Sequence, residues 1–525
     1  MGNSLLTKNL DRGLVDEVHW LNDREAFEAT EALAREQQVF AGNTSGSVYR
    51  VLGHVAARAH PGERIVGIFP DRGDRYAGTV YNRDYWTEKG VDALPSRSAP
   101  TLIGYGTPTE AWARAEVAVD VPRHLLFVEA NTSGTGMLAM RSARELGLVP
   151  MLLTGEPARY AGLEQSGCRV LTCDTNSVAG LRAAILDGFR REEIAGLTTT
   201  SDFYVPTAAR LARWLGLPAN PVEAVTLCRD KAELRETLAA AGVRQPRFAV
   251  LTDPAGPVDQ VGFPCVVKPS DDSGSTNVLL CGDADQARAQ TRRIIELRTN
   301  VRGLPTARTA LVEEFLDGPE FSVEMFGWNG RTECLGITAK QVGELPYFVE
   351  TGHLFPADLP PRTAATIVDV VRSALVACGM RLGPSHTEVR LTENGPAIIE
   401  INPRLAGGMI PELMRLTTGI DLIEQQLRVA AGLPPVLAAR PSGHAGIRFL
   451  LADREGLLTV VDGVASAERL PGVERVTLTT RPGTPVRPPR HAYDRLGYVI
   501  ARGASPEEVT QTLDLALKEI RLTVA

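Results

Sequence analysis

This chain of 525 residues has little of several things that would settle its class at once. Its seven cysteines, at 168, 173, 228, 265, 281, 334 and 378, form no Cys-x-x-Cys pair. Its 8 histidines form no cluster at metal spacing, so a disulfide framework or a zinc site is not expected. A positive excess is missing too. The 56 Lys and Arg stand against 63 Asp and Glu, a net charge of −7. That is the reverse of the basic stripe carried by a nucleic-acid or anionic-membrane binder, although a small anionic ligand stays open. No run of about 18 apolar residues occurs. The first thirty residues, with Asp11, Asp16 and Glu17, hold no apolar core of signal-peptide type. Met1-Gly2 with Ser4 departs from a myristoylation signal at the sixth position, where Leu6 stands. No repeat with a 20–50-residue period is visible. The expected home is a reducing cytoplasm.

What remains is ordinary globular material, 44% hydrophobic and 23% charged, with 49 Gly and 35 Pro spread widely. At about 100–200 residues per domain the length predicts three to five domains. Apolar periodicity predicts helices over 23–38 and 46–60, then a short strand in Arg64-Ile65-Val66-Gly67-Ile68-Phe69-Pro70, giving an α/β fragment over 1–93. Over 82–122 the periodicity fades while Gly, Pro, Ser and Thr rise, which places a linker at 94–121. A second α/β pattern follows over 122–225. It has a strand at 125–129, the turn Asn131-Thr132-Ser133-Gly134-Thr135-Gly136, a helix at 137–146 and strands at 149–153 and 169–172. The alternation predicts a small parallel, Rossmann-like sheet. The turn lacks G-x-G-x-x-G spacing and is read as chain reversal. Residues 226–434 hold most of the chemistry. A tail over 435–525 alternates strands at 446–451, 475–480 and 498–502 with Asp/Gly turns and ends in a helix over 505–520, an α+β cap. Its segment from Arg481 to Arg490 is proline-rich and is read as an exposed loop.

Four patterns in fixed order make sense as parts of one nucleotide site. Phe263-Pro264-Cys265-Val266-Val267-Lys268 is a buried strand ending in lysine. The small-residue loop behind it, with Ser273, Gly274 and Ser275, has amides and hydroxyls suited to wrapping a phosphate. Taken alone, such a lysine is a snorkelling surface residue and such a loop a flexible turn. In Val312-Glu313-Glu314-Phe315-Leu316-Asp317-Gly318-Pro319-Glu320 a strand breaks and another begins. That hinge can offer backbone groups and Glu313 to an adenine edge, and Glu320 to ribose hydroxyls, or it is a plain hairpin turn with exposed acids. Thr392-Glu393-Asn394-Gly395 is a hairpin signal. Alternation after it puts Glu400, Asn402 and Arg404 on one face and Ile399 and Ile401 on the other, with Glu388 on the neighbouring strand. Two carboxylates and an amide oxygen are the hard donors that Mg²⁺ bound to phosphates takes, and Arg404 is placed to steady a transferring phosphoryl group. Lys231, opening a helix, is a second candidate phosphate contact.

Taken together, Lys231, Lys268 with its loop, Glu313 to Leu316 with Glu320, and Glu388 with Glu400-x-Asn402-x-Arg404 resemble the ATP-grasp superfamily over about 122–525. Residues 199–218 resemble that family's segment leading to a Leu-Gly-Leu-Pro turn. The resemblance implies a pre-ATP-grasp α/β domain, a two-lobed ATP-grasp domain and a C-terminal α+β domain. The Glu-x-Asn-Pro-Arg form, the pair Glu350 and His353 before Pro356, and Gly407-Gly408 look like the L-amino-acid ligase branch. By that resemblance the chain is a carboxylate–amine ligase acting through an acyl phosphate. ATP phosphates fall to Lys231, Lys268, Ser273, Gly274 and Ser275, and the nucleoside to Glu313, Phe315, Leu316 and Glu320. Mg²⁺ or Mn²⁺ falls to Glu388, Glu400 and Asn402, and catalysis to Lys268 and Arg404. Amino-acid recognition falls to Glu350 as ammonium acceptor, to His353 as a hydrogen-bonding group titrating near neutrality, and to Arg404, Gly407 and Gly408. The loop over 273–276 is expected to close as a lid.

The first ninety residues resemble something else, the C-terminal end of cysteine synthase-like, fold-type II pyridoxal-phosphate enzymes. The carriers are Ala41-Gly42-Asn43-Thr44-Ser45-Gly46-Ser47 before a helix, then Ile65-Val66-Gly67-Ile68-Phe69-Pro70 and Asp71-Arg72-Gly73-Asp74-Arg75-Tyr76. The Schiff-base lysine has no counterpart here, and Arg72 replaces the Ser or Thr that faces the pyridine nitrogen. Pyridoxal phosphate is therefore not expected on this chain alone, and the assembly implied is a homodimer or a separate pyridoxal-enzyme partner. Two rival functions are a biotin-carboxylase-like carboxylase, although no Ala-Met-Lys-Met occurs, and a non-catalytic ATP-binding partner of a pyridoxal enzyme.

Overall fold

A computed structural model describes residues 15–59, 62–104, 106–116, 123–132 and 134–525. Met1, Gly2, Ser4, Leu6, Asp11, His60, Tyr105, Ser133 and the stretch 117–122 lie outside the described residues. The chain divides into two compact units, Met1–Val121 and Pro122–Ala525. Among the described residues no helix is long and apolar enough to cross a membrane.

In the first unit, Asn22 caps the helix Asp23–Gln37 through a reciprocal bond with Glu25, and the next helix, Asn43–Ala56, starts after Gly42. Strand β1 (Glu17–Trp20) lies on the edge of a three-stranded sheet with β2 (Thr101–Leu102) and β3 (Ala113–Glu116), in the order β1-β3-β2. Within the linker expected at 94–121, the described residues 94–104 and 106–116 therefore include two paired strands. The fully buried Glu25 carboxylate accepts the amides of Asn22, Arg97 and Trp112, which fastens that low-periodicity segment without any apolar repeat. The strand expected at 64–70 is corrected as well. Those residues are extended but pair with no strand among the described residues, Val66 is 85% exposed, and Gly67 lies against Leu52 and Val48 of the second helix. Asp71 closes the start of that helix, accepting from the amides of Thr44 and Ser45 and from the Ser45 hydroxyl.

The second unit opens with four parallel strands, β4 (His124–Val128), β5 (Val149–Thr154), β6 (Arg169–Thr172) and β7 (Ile194–Thr198), in the order β6-β5-β4-β7. The helix Thr135–Glu145 crosses over between β4 and β5, as the alternation predicted. A small antiparallel sheet follows, made of β8 (Phe248–Leu251), β9 (Cys265–Pro269), β10 (Leu279–Cys281) and β11 (Ala310–Glu314), in the order β10-β9-β11-β8.

The chain then turns at Asp317-Gly318-Pro319 into the largest sheet. Its strands are β12 (Glu320–Trp328), β13 (Arg331–Val342), β14 (Glu350–Phe355), β15 (Gly383–Thr392) and β16 (Gly395–Asn402), with β17 (His444–Leu450) from the tail. Beyond β18 (Gly456–Asp462) come β19 (Val473–Leu478), β20 (Pro485–Val486), β21 (Gly497–Gly503) and β22 (Arg521–Val524). The eight-stranded order is β16-β15-β12-β13-β14-β17-β21-β19. The expected α+β cap therefore has no separate main sheet: β17 continues the β14 edge, pairing Gly352 with Arg448 and His353 with Ile447. One core lies between this sheet and the helix Pro361–Cys378, with Val323, Val389, Ile398, Ile401, Ile367 and Val371 almost fully buried.

Candidate active site

Period-2 alternation decides which side chains meet. Glu320, Ser322 and Glu324 on β12 stand opposite Arg390, Glu388 and His386 on β15. Glu388 and His386 in turn stand opposite Glu400 and Asn402 on β16. Glu320 is paired on its other side with Lys340, and Lys340 with His353. One face of five strands thus carries the acidic and histidine groups at the centre of the site. A bulge refines the expected pattern: Glu388 pairs with Glu400 but Val389 with Ile398, so Ile399 is the extra residue. It turns to the cavity wall, and Ile398 with Ile401 fills the core in place of the expected Ile399 and Ile401.

The cavity above this face measures about 1100 Å³ and is lined by both lobes and by the tail. Single ligand pockets run to about 300–1,000 Å³, so there is room for more than one ligand. Lys340, its side chain 1% exposed, holds three carboxylates: Glu388 at 2.6 Å, Glu350 at 2.8 Å and Glu320 at 2.9 Å. Burial opposes its charge, yet the three glutamates raise its pKa well above the ordinary value. Burial would raise Glu388 and Glu350, but Lys340 outweighs it and holds both low, with His386 helping at Glu388 and Arg495 at Glu350. His386 sits between Glu324 (2.8 Å) and Glu388 (3.5 Å), and those acids overcome burial to bring it up to about 9.

The phosphate-type end is built from the other lobe. Lys231 Nζ lies 2.8 Å from the Asp272 carbonyl and 3.1 Å from Glu400 Oε1, and its helix is capped by Asp230. Lys268 Nζ lies 2.7 Å from Glu313, whose other oxygen takes Arg235 at 2.7 Å. The small-residue loop has three positive-φ residues, Gly274, Ser275 and Asn277, and is tied by Ser275 Oγ to the Phe348 carbonyl at 2.9 Å. Phe315 and Phe348 face one another at 6.3 Å beside Arg390, which also donates to the Leu316 carbonyl and to Glu320. Arg404 and Arg229 share Asp202, at 2.9 and 2.6 Å, a carboxylate held low against its burial by the two guanidiniums.

Residues 261–412 match the ATP-grasp domain model and 448–525 the L-amino acid ligase C-terminal domain 2. The uncharacterized protein y4rH of Sinorhizobium fredii is 34% identical over 436 residues, 82% of this chain and 89% of that one. The chain belongs to the ATP-grasp family. Mouse carnosine synthase 1 is 28% identical over 61% of this chain and 41% of its own length. Alanine–anticapsin ligase of Bacillus amyloliquefaciens is 28% identical over 45% and 54%. The chain thus spans about half or less of these two named relatives. The solved L-amino acid ligase of Bacillus licheniformis shares the fold, with a TM-score of 0.67 at 23% identity over 77% of this chain and 99% of that one.

One cavity brings together every residue singled out in the sequence for the nucleotide, the metal and the amino acid, since all of them line it. Three expected roles change. Glu313 offers no free carboxylate to an adenine, because Arg235 and Lys268 occupy both oxygens. Glu350 is no open ammonium acceptor, because Lys340 and Arg495 neutralise it twice. His353 does not titrate near neutrality: burial, with Lys340 and Arg495 nearby, pushes it down to about 3 despite Glu350, and it stays neutral with Nδ1 unpartnered. Gly408, at φ +57°, leaves the space beside His353 Nε2 that a Cβ would fill at 2.5 Å, whereas Gly407 faces open space.

Sequence reasoning missed Lys340, His386, Glu324, Asp202, Arg229, Arg235 and Arg495. Lys340, His386 and Glu324 carried a readable signal, charged residues on the inward parity of apolar strands; the others are joined only by tertiary folding.

Among the described residues no group of three or more His, Cys, Asp or Glu is arranged to hold a metal. The donor set nevertheless fits a magnesium that takes its remaining oxygens from phosphate and water. Glu388 and Glu400 are direct cross-strand neighbours with Asn402 two residues on, and each carboxylate already faces a cation.

Proposed function

We propose that this chain joins two amino acids, or an amino acid and another amine, by an ATP-driven carboxylate–amine ligation. The observation that carries the reading is one continuous cavity running from Lys231 and Lys268 to Glu350, His353 and Gly408, with Arg404 and the Glu388–Glu400 pair among its walls. A carboxylate oxygen attacks the γ-phosphorus, the bond to the bridging oxygen breaks, and ADP leaves. The amine enters as the free base, its ammonium proton left in bulk solvent before the lid closes, and adds to the acyl phosphate carbonyl; the carbon–oxygen bond to phosphate then breaks, the departing phosphate takes the second nitrogen proton, and the amide and inorganic phosphate remain.

Lys231 and Lys268 take up polyphosphate charge from the floor. Arg404, fixed by Asp202, presents its guanidinium where charge builds on the transferred phosphoryl group and the tetrahedral oxyanion. Phe315, Phe348 and the Leu316 hinge receive the nucleoside, with Glu320 for its ribose. Glu388, Glu400 and Asn402 would hold Mg²⁺ or Mn²⁺, which supplies charge neutralisation between phosphate oxygens. The loop over 273–276 excludes water from an intermediate that water would destroy. The test is amide formation, by mass spectrometry, with ADP release against a panel of amino-acid pairs. Glu400→Ala abolishes both if the reading holds, and a silent panel rejects it.

For the first unit we propose the pyridoxal-enzyme kinship of its sequence. An extended apolar segment at 65–69 that pairs with no strand among the described residues supports that kinship, and Asp71 at the helix start supports the absence of pyridoxal phosphate on this chain alone. Titration with pyridoxal phosphate is expected to give no Schiff-base absorbance, and mass photometry decides between a homodimer and a separate partner.

A further inference from the structure

One loop of the tail reaches the site at two points. Asp494 folds it on itself: Oδ1 accepts from Arg487 Nε at 3.1 Å, and Oδ2 from the amides of Arg490 at 2.9 Å and His491 at 3.2 Å. Held this way, Ala492 donates its amide to the Gly274 carbonyl at 3.1 Å, in the middle of the positive-φ loop. The Tyr493 ring lies along the same glycine, 3.3 Å from where a Cβ would stand. Arg495 then turns to the other end of the cavity. Its Nη2 donates to Glu350 Oε2 at 2.7 Å and to the Glu350 carbonyl at 2.9 Å, and Nε donates to that carbonyl at 3.2 Å. The guanidinium stacks over Phe449 at 3.7 Å, and the same ring meets His353 edge-on at 5.6 Å.

We propose that the loop over 490–496 couples the nucleotide lid to the amino-acid subsite, with Arg495 as the positioning residue for Glu350 and the Ala492 amide as the latch on the lid. The inference rests on the ligase reading above. Glu350 is clamped at both its carboxylate and its carbonyl, so the wall it shares with His353 holds one geometry only while Arg495 is in place. The latch closes on the backbone carbonyl of Gly274, the lid residue freest to turn. Because the two contacts lie three residues apart on a loop rigidified by Asp494, displacing the lid strains the Arg495 clamp, and an ordered clamp favours the closed lid. The chemistry needs this link, since a carboxylate activated under an open lid is lost to water.

Ala492→Pro isolates the latch. Ala492 is the first residue of a short 3₁₀ turn whose cap, His491, is extended (φ −158°, ψ 171°), a setting that accepts proline; the ring removes the donor to Gly274 and its Cδ pushes that carbonyl away, so the variant holds the latch open. Two readouts are expected. With Mg²⁺ and a non-hydrolysable ATP analogue, hydrogen exchange over 273–278 loses its protection relative to wild type. In turnover, the ratio of phosphate released to amide formed rises at least fivefold. Arg495→Ala raises KM for the amino acid tenfold or more while KM for ATP moves less than twofold, and Arg495→Lys recovers part of the loss. Wild-type protection together with a wild-type ratio in Ala492→Pro overturns the latch. Equal KM changes for both substrates, or none, in Arg495→Ala overturns the positioning role. If the wild-type chain forms no amide with any pair, the ligase reading fails, and the exchange experiment still decides the latch.

Discussion

Lys340 Nζ lies 2.6 Å from Glu388 Oε1, so a carboxylate picked out as a metal ligand is already tied to a lysine that also serves Glu320 and Glu350. Removing one partner of such a group leaves buried charge uncompensated, at a cost of about 3–5 kcal/mol. Lys340→Met is therefore expected to lower the urea midpoint strongly at pH 7. The defect shrinks at pH 4–5, where the freed glutamates protonate. Equal loss at both pH values would mean that packing, not charge, holds the cluster.

The two buried histidines pull stability in opposite pH directions. His386 is raised to about 9 in the folded chain, so its contribution is complete below about pH 6.5 and is lost as pH rises through 9, on the order of 3 kcal/mol. His353 is lowered to about 3; its contribution is complete above about pH 6.5 and is lost as pH falls toward 3. Urea unfolding from pH 4 to 9.5 is expected to show the alkaline limb flattened in His386→Asn and the acid limb retained. An unchanged alkaline limb would remove His386 as its source.

Gly408 sets the space beside His353. A Cβ there would lie 2.5 Å from Nε2 on a left-handed backbone, whereas a Cβ at Gly407 meets nothing within 4 Å. Gly408→Ala should raise KM for the amino acid about tenfold or more without a matching change for ATP. Gly407→Ala should stay near wild type. Steady-state kinetics on both substrates decide it, and a defect confined to Gly407→Ala would misplace the subsite.

Arg404→Lys keeps the charge but loses the fork that Asp202 and the Leu405 carbonyl hold in place. A kcat loss of about 10²–10³ is expected, with KM for ATP within a fewfold of wild type. Asp202→Asn should give a smaller loss in the same direction, because Arg404 then keeps its charge but not its aim. A pure KM effect in either variant would place Arg404 in binding alone.

Much of this site was legible because its chemistry follows strand parity. Glu388, Glu400 and Asn402 fall on one face by counting in twos, and Asn394-Gly395 marks the turn that pairs them. What could not be counted was the bulge at Ile399, which exchanges a core position for a wall position, and burial, which turns His353 from a group titrating near neutrality into a neutral one. Arg495 stands 145 residues from Glu350 and meets it only because β17 and β21 extend the β14 edge. In the first unit, composition read 94–121 as a linker, because Glu25 fastens that segment through backbone amides that leave no apolar pattern.

The measurement closest to the central claim is trapping with hydroxylamine under Mg-ATP. Carboxylate activation yields a hydroxamate of one amino acid, formed with ADP in equal amounts, dependent on that amino acid and absent in Glu400→Ala. ADP release that follows bicarbonate instead, with no hydroxamate from any amino acid, would contradict carboxylate activation and favour a carboxylase.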